Sequence, residues 1–278
     1  MTRILFIIIL FFISLNFGFA QNVPQADSVK NYDKMFESET SLWGKYKNRF
    51  KKEDYNNGYK FVRYFLFLEI GFNNYLENGK FPNEQNQQYA AGPLGSFNLN
   101  FGASLRLRFA KIFSLNCEYG LGWNNYRFQD KSTLLTKEDN GLSFSKQLFS
   151  EEENYEFEKS RLSVSYMNVG LIPMFHITKN DFSSENYGKI FKLRLGIGFF
   201  AGYRISSNMK YKFSLDDIKI QYKERKDFYI NSFRYGIKAI AGIGEIIDIY
   251  ISYDLQELFV KDKGPKLNTI CIGFRLNI

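Results

Sequence analysis

Apolar and polar side chains alternate along several segments of this chain. From Phe97 to Phe109 every odd position is apolar, and every even position is polar or glycine. Successive side chains of a β-strand point to opposite faces, so a period of two predicts a strand with one apolar and one polar face. The segment exceeds the roughly five or six residues of a typical strand. It is long enough to cross a bilayer, which takes about 9–11 residues of tilted strand.

The same alternation recurs elsewhere and predicts eight strands in all. They cover approximately residues 61–73, 97–109, 113–124, 162–177, 191–205, 232–243, 247–256 and 269–278. In the fourth, a change of phase between Tyr166 and Met167, together with Pro173, predicts a bulge or a weakly bonded end. An even strand number suits a single-chain bacterial barrel. The sequence therefore predicts an all-β fold, an eight-stranded antiparallel transmembrane up-and-down β-barrel.

Long and short connections alternate between the predicted strands. About two residues follow the second and the sixth strand, whereas about twenty to thirty follow the first, third and fifth; the fourth is followed by about twelve and the seventh by six. Outer-membrane barrels place short turns in the periplasm and long loops outside, which predicts that both ends of the barrel domain lie on the periplasmic side. Partial alternation within 206–231 predicts that this connection continues its strands above the membrane as a hairpin.

The first twenty residues have the features of a secretory signal peptide. Arg3 is the basic residue, Ile4 to Leu15 is almost entirely apolar, and Gly18-Phe19-Ala20 fits a cleavage site after Ala20. No other stretch has the apolar length of a membrane helix. We therefore divide the chain into a signal peptide (1–20), a polar periplasmic lead-in (21–57) and an outer-membrane barrel domain (58–278).

Amphipathic strands also form soluble lipocalin-like barrels, whose large apolar residues point inward around a ligand. In this chain the polar face is rich in Gly, Ser and Asn and carries charges of both signs, which suits a narrow interior. Aromatic residues also gather near the predicted strand ends, as in the interfacial girdles of membrane barrels. They are Phe97, Trp123, Tyr203, Phe233 and Tyr253 on the loop side, and Tyr64, Phe109, Phe113 and Phe191 on the turn side.

Twelve charged residues fall on the polar faces and are expected to form a network in the lumen. They are Glu69, Arg106, Arg108, Glu118, Lys192, Arg194, Arg204, Arg234, Lys238, Asp248, Asp254 and Arg275. An eight-stranded barrel is just filled by its own side chains, which favours a plugged lumen with neutralised charges. Because cations outnumber anions, a narrow anion-selective channel or porin-like transporter is the alternative.

The net charge of +8 restricts the partners. Export argues against nucleic acid, so the expected anionic partner is outer-membrane lipid and lipopolysaccharide, with a protein partner at the external loops as a further expectation. The acidic run Glu151-Glu152-Glu153, followed by Glu156 and Glu158, is either a solvated loop or a divalent-cation site.

Catalytic and cofactor motifs are absent from the sequence, so we expect no enzyme, no cofactor and no resident metal. The single histidine, His176, is predicted to be an interfacial or turn residue near the periplasmic end of the fourth strand, away from outer-leaflet substrates. Cys117 falls on the apolar face and Cys271 on the polar face. Their side chains are expected on opposite sides of the wall, so they should remain free thiols.

Three segments resemble the PorT-like outer-membrane β-barrel family of Bacteroidetes. They are the hairpin 105–123 (LRLRFAKIFSLNCEYGLGW), the segment 167–175 (MNVGLIPMF) and the ending 272–278 (IGFRLNI). The resemblance covers nearly all of 58–278. It implies an outer-membrane barrel without catalytic residues, and the role of one family member suggests a secretion-machinery accessory. The terminal Ile278 departs from the Phe that ends many barrels.

Overall fold

The computed structural model describes residues 62–83, 87–92, 95–110, 112–146, 155–180, 190–215, 218–243 and 246–278. The predicted signal peptide, the predicted lead-in and Glu151 to Glu153 lie outside these ranges. All regular secondary structure within them is β. No helix among the described residues is long and apolar enough to cross a membrane.

Eleven strands are described, and eight of them close into a ring. The strands are β1 (Val62–Glu77), β2 (Phe97–Arg108), β3 (Phe113–Arg127), β4 (Thr133–Glu138), β5 (Gly141–Lys146), β6 (Tyr155–Asn180), β7 (Ile190–Leu215), β8 (Ile218–Glu224), β9 (Phe233–Ile243), β10 (Ile247–Asp254) and β11 (Leu267–Asn277). The ring runs β1, β2, β3, β6, β7, β9, β10, β11, and β11 pairs back to β1. Every pairing is antiparallel, which confirms the predicted eight-stranded up-and-down barrel.

The remaining strands extend the loop end of the barrel. β8 pairs with the upper part of β7, as the partial alternation of 206–231 predicts. β4 and β5 form a separate hairpin within the long connection between β3 and β6. This hairpin is not predicted from the sequence because each of its strands has only six residues, too few for a clear periodicity.

A register shift lies close to the predicted irregularity of the fourth strand, but the extra residue belongs to its neighbour. Ser165 on β6 is opposite Ser206 on β7, and Tyr166 is opposite Arg204, so Ile205 of β7 is the additional residue. The prediction of a bulge in the fourth strand is therefore wrong in its placement. Pro173, the second element of that prediction, does not end β6, which continues to Asn180.

The apparent change of phase in β6 is a reversal of polarity. From Ser160 to His176 the even-numbered residues point inward. At the turn end the outward side chains are apolar, as at Leu171 and Phe175, whereas towards the loop end the inward ones are apolar, as at Leu162 and Val164. The loop end of the strand therefore lies at a level with an apolar interior, and its turn end lies at a level with an apolar exterior.

Large apolar side chains are exposed all around the ring and form what we name the apolar belt. Each ring strand contributes at least one of them: Ile70, Phe101, Leu121, Leu171, Ile197, Tyr235, Ile249 and Phe274 are examples. Residues predicted for the aromatic girdles, including Tyr64, Phe97, Phe109, Trp123 and Phe233, are exposed as well. At the level of the belt the barrel is apolar outside. Its interior holds charged residues beside a small buried apolar cluster of Ile172, Met174, Ile240, Tyr250 and Cys271, and so differs from the apolar interior of a lipocalin.

Beyond the belt, the loop end is closed by a conventional apolar core, which we name the apolar cap. Inward residues of the ring strands meet residues of the connections and of β4 in one buried cluster. Its members are Tyr75, Ala91, Tyr126, Phe128, Leu135, Leu162, Val164, Tyr166, Met209, Phe228, Ile230, Leu258, Phe259 and Leu267. With the cap, the upper barrel has the apolar interior that is typical of a water-soluble protein.

Candidate functional site: the charged lumen beneath the apolar cap

Four charged residues on four ring strands meet at the centre of the lumen. Lys238 Nζ contacts Glu69 Oε1 and lies 3.2 Å from Glu118 Oε2. Arg275 NH1 lies 3.0 Å from Glu69 Oε1 and 2.6 Å from Glu118 Oε1. All four residues are buried. Two cations and two carboxylates therefore neutralise each other in what we name the central cluster.

Aromatic rings pack against the cations of this cluster. The guanidinium of Arg275 lies 4.2 Å from the centre of the Phe67 ring, and Lys238 Nζ lies 5.5 Å from that of Tyr250. The Phe67 ring has room because it crosses Gly102, where a Cβ atom would come within 2.8 Å of it. Cation–π contacts and close packing thus fill the cross-section at this level.

A second ion pair is attached to the central cluster through an asparagine. Arg194 NH2 lies 2.6 Å from Asp248 Oδ1. Asn277 donates a hydrogen bond of 2.7 Å to Asp248 Oδ2 and accepts one of 2.9 Å from Arg275 Nε. The two ion clusters are therefore one connected network.

A third pair lies towards the apolar cap. Arg234 NH1 is 3.6 Å from Asp254 Oδ2, and the Arg234 guanidinium lies 4.4 Å from the centre of the Tyr166 ring. Tyr166 belongs to the apolar cap. The charged lumen and the cap therefore meet at this arginine.

Asparagines connect the central cluster with the cap, and sequence reasoning missed them. Asn100 donates a hydrogen bond of 2.9 Å to Glu69 and another of 2.8 Å to Asn98. Asn98 donates to Asn124, which donates to the Tyr126 hydroxyl of the cap. Their position on the inward face was the available signal, because a buried amide has to find hydrogen-bond partners.

The other predicted network residues do not join these ion pairs. Arg106 Nε donates a hydrogen bond of 3.0 Å to Asn116, and Arg204 donates one of 3.1 Å to Ser207. Arg108 Nε is buried without a hydrogen-bond partner in the described part of the chain. The side chain of Lys192 lies outside the described residues. Within the described part of the chain, eight of the twelve predicted residues form ion pairs with one another.

His176 lies inside the barrel at its turn end. Its Nε2 is 2.7 Å from Ser114 Oγ, and its backbone N–H donates to the carbonyl of Ile112 next to the β2–β3 turn. His176 lies near the end of β6, as predicted, and this is the end of the barrel with the short turns. The predicted interfacial or turn position is wrong, because His176 points inward and is buried.

A small cavity adjoins the central cluster. It measures about 40 Å³ and is lined by Phe67, Glu69, Glu118, Arg234 and Lys238, among others. A water needs about 10–15 Å³ on this measure, so the cavity holds about three waters.

Some charged residues outside the belt pair locally. In the connection above the barrel, Lys137 Nζ lies 2.6 Å from Asp227 Oδ1, and this hydrogen bond lowers the pKa of the Asp227 carboxyl. Of the predicted acidic run, Glu158 pairs with Lys219 at 3.4 Å. No group of three or more potential metal ligands occurs among the described residues.

Both cysteines are free, as predicted. Cys117 points outward in the belt, whereas Cys271 is buried in the lumen beside Tyr250.

We expect a charged, water-borne maleimide to leave both thiols unmodified in the folded, membrane-inserted barrel, because one faces the belt and the other has no solvent access. After denaturation both should react. Mass spectrometry of the labelled chain measures this. Rapid modification of Cys271 in the folded state would show that water-borne reagents reach the lumen.

Comparisons with known proteins give only distant likenesses. No family model and no curated protein matches the chain. The structure is similar to Ail, the attachment invasion locus protein of Yersinia pestis, with 15% identity over 77% of this chain and 97% of Ail, at a TM-score of 0.29. Ail in complex with the heparin analogue sucrose octasulfate gives 13% identity, with the same coverage and TM-score. A triple mutant of the Rhodopseudomonas blastica porin gives 7% identity over 78% of this chain and all of the porin, at 0.20.

These TM-scores are too low to bear on function. The barrel assignment depends on the strand pairing of this chain, and the PorT-like resemblance stays a prediction.

Proposed function

We propose that this chain is an outer-membrane β-barrel with a non-conducting lumen, serving a structural or interaction role. The observation that carries the proposal is the reversal of polarity along the barrel. Exposed apolar side chains surround the level at which buried ion pairs fill the interior. Such an exterior would be costly in water and suits contact with acyl chains.

The alternation of connections supports an orientation with the apolar cap outside the cell. The turns between β2 and β3 and between β9 and β10 are short and lie at one end, together with the last residue of β11, Asn277. Short turns are typical of the periplasmic end of outer-membrane barrels. The cap with its β4–β5 hairpin and β8 would then be available to external partners.

A non-enzymatic role fits the position of the single histidine. The pair Ser114 and His176 is the arrangement nearest to a nucleophile and base, and it lies inside the turn end of the barrel. Substrates in the outer leaflet would be at the opposite end. A more specific role, as an accessory of secretion machinery, is proposed on the PorT-like resemblance alone.

We expect no reproducible single-channel conductance when the purified barrel is inserted in a planar bilayer. The central cluster and the apolar cap both obstruct the lumen, and the cavity between side chains holds only about three waters.

The alternative is a narrow anion channel, favoured by the arginines at the turn end. Anion-selective steps that disappear in Arg106→Ala and Arg194→Ala would establish that alternative and contradict the plugged barrel. A matched substitution outside the lumen, Lys226→Ala, should leave any such steps unchanged.

A further inference from the structure

Four cations form a continuous row on the outward face above the apolar belt. Arg127 on β3 is opposite Arg161 on β6, Arg161 is opposite Lys210 on β7, and Lys210 is opposite Lys223 on β8. Residues directly opposite each other on antiparallel strands share a face, with Cβ atoms about 4.5–5.5 Å apart. We name these four residues the cationic row.

The cationic row is not neutralised by the described part of the chain. No salt bridge joins any of its four members to a described acidic residue, and Arg161 Nε is buried without a hydrogen-bond partner there. Lys159, in the next row, is opposite Lys212 and adds to the positive charge. Like charges directly opposite each other on a sheet are destabilising. A bound anion would remove that repulsion.

The pKa values of the lysines reflect this crowding. Partial desolvation and the neighbouring Arg161, Lys212 and Lys223 lower the pKa of Lys210. Desolvation and the neighbouring cations Arg161, Arg127, Lys210 and Lys212 also lower the pKa of Lys159. Each ammonium group would therefore gain from an anionic neighbour.

The row lies at the height of lipid headgroups. On β3, Arg127 follows four residues after the belt residue Trp123, which is about 13 Å along the strand. With a strand tilt of about 35–45° this is a height of about 10 Å above the belt. On β6 the outward residues between are Ser163 and Ser165. Long basic side chains can reach down from this height towards an interface.

We propose that the cationic row binds the phosphate groups of lipids in the outer leaflet. Its residues share the outward face with the apolar belt, so a lipid whose acyl chains lie along the belt brings its phosphates to the row. A soluble anion would have no such connection to the belt. The inference rests on the proposed outer-membrane location and orientation.

The test compares lipid retention by two double variants of the mature chain. Barrels are inserted in phosphatidylcholine nanodiscs containing bisphosphorylated lipid A, and the lipid A bound per barrel is measured by native mass spectrometry. Arg161→Gln/Lys210→Gln should weaken retention about 25-fold, from about fivefold for each charge near an anionic surface.

The matched control is Lys219→Gln/Lys226→Gln. It removes the same charge from two lysines that already pair with Glu158 and Glu224. Retention should change less than twofold. Equal losses in both double variants would show a nonspecific charge effect and overturn the proposal.

Two further arms separate the source of the phosphate and the underlying fold. Dephosphorylated lipid A should be retained no better by the unmodified chain than by the row variant, and equal retention of both lipid forms overturns the proposal. Inorganic phosphate that displaces lipid A at equimolar concentration would show a site for free anions instead.

Insertion of each variant is measured by the heat-modifiable migration of the barrel on gels. A chain that fails to insert overturns the proposed function and this inference, whereas an inserted row variant that retains lipid A overturns this inference alone.

Discussion

Replacing Lys238 with methionine is expected to destabilise the barrel by about 3–5 kcal/mol, as for removal of one partner from a buried ion pair. Lys238 contacts both Glu69 and Glu118, and its side chain is 10% exposed. Without its ammonium group, two buried carboxylates share only Arg275. Urea unfolding of the barrel in liposomes, followed by tryptophan fluorescence, gives the change in the free energy of unfolding.

Two further variants distinguish lost charge from lost packing. In Lys238→Met/Glu118→Gln the remaining charges of the central cluster are again balanced, so most of the stability should return. Lys219→Met breaks an ion pair whose lysine side chain is 78% exposed, and should cost less than about 1 kcal/mol. If the double variant is no more stable than Lys238→Met, electrostatic balance is not what holds the lumen together.

Ile197→Arg is expected to cost about 2–4 kcal/mol in a lipid bilayer, as for a basic residue facing the midplane. Ile197 is 63% exposed and points outward from the middle of the belt on β7. Leu105→Arg on β2 should have the same effect. The measurement is again urea unfolding in liposomes.

The control for the wall lies on the same strand. Ser206 is exposed just beyond the belt, and Ser206→Arg should therefore be nearly neutral. In a water-soluble barrel both changes would be ordinary surface substitutions, within about 0.5 kcal/mol. Equal stability of Ile197→Arg and Ser206→Arg would contradict the assignment of the belt to lipid.

Local alternation determined the eight ring strands. Successive side chains of a strand point to opposite faces, so the period of two can be recognised from neighbouring residues alone. The segments predicted at 97–109 and 113–124 match β2 and β3 within about three residues. The same periodicity identified which charged residues point into the lumen. Once a strand is known, an odd or even residue number determines the face on which the side chain lies.

Parity alone did not determine which charges pair. Glu69 and Lys238 are 169 positions apart in the chain, and they meet because the ring closes between β1 and β11. Strand register then fixes the heights at which inward residues face each other across the lumen. The amide hydrogen bonds of Asn98 and Asn100 depend on that geometry as well.

The sequence by itself determined eight amphipathic strands and two cysteines on opposite faces. Tertiary structure decided where along each strand the apolar side faces out and where it faces in. In β6 that reversal looks like a broken period in the sequence, although the strand is continuous. Burial is a property of the closed ring and its cap, and only the assembled barrel gives each level of the strand its surroundings.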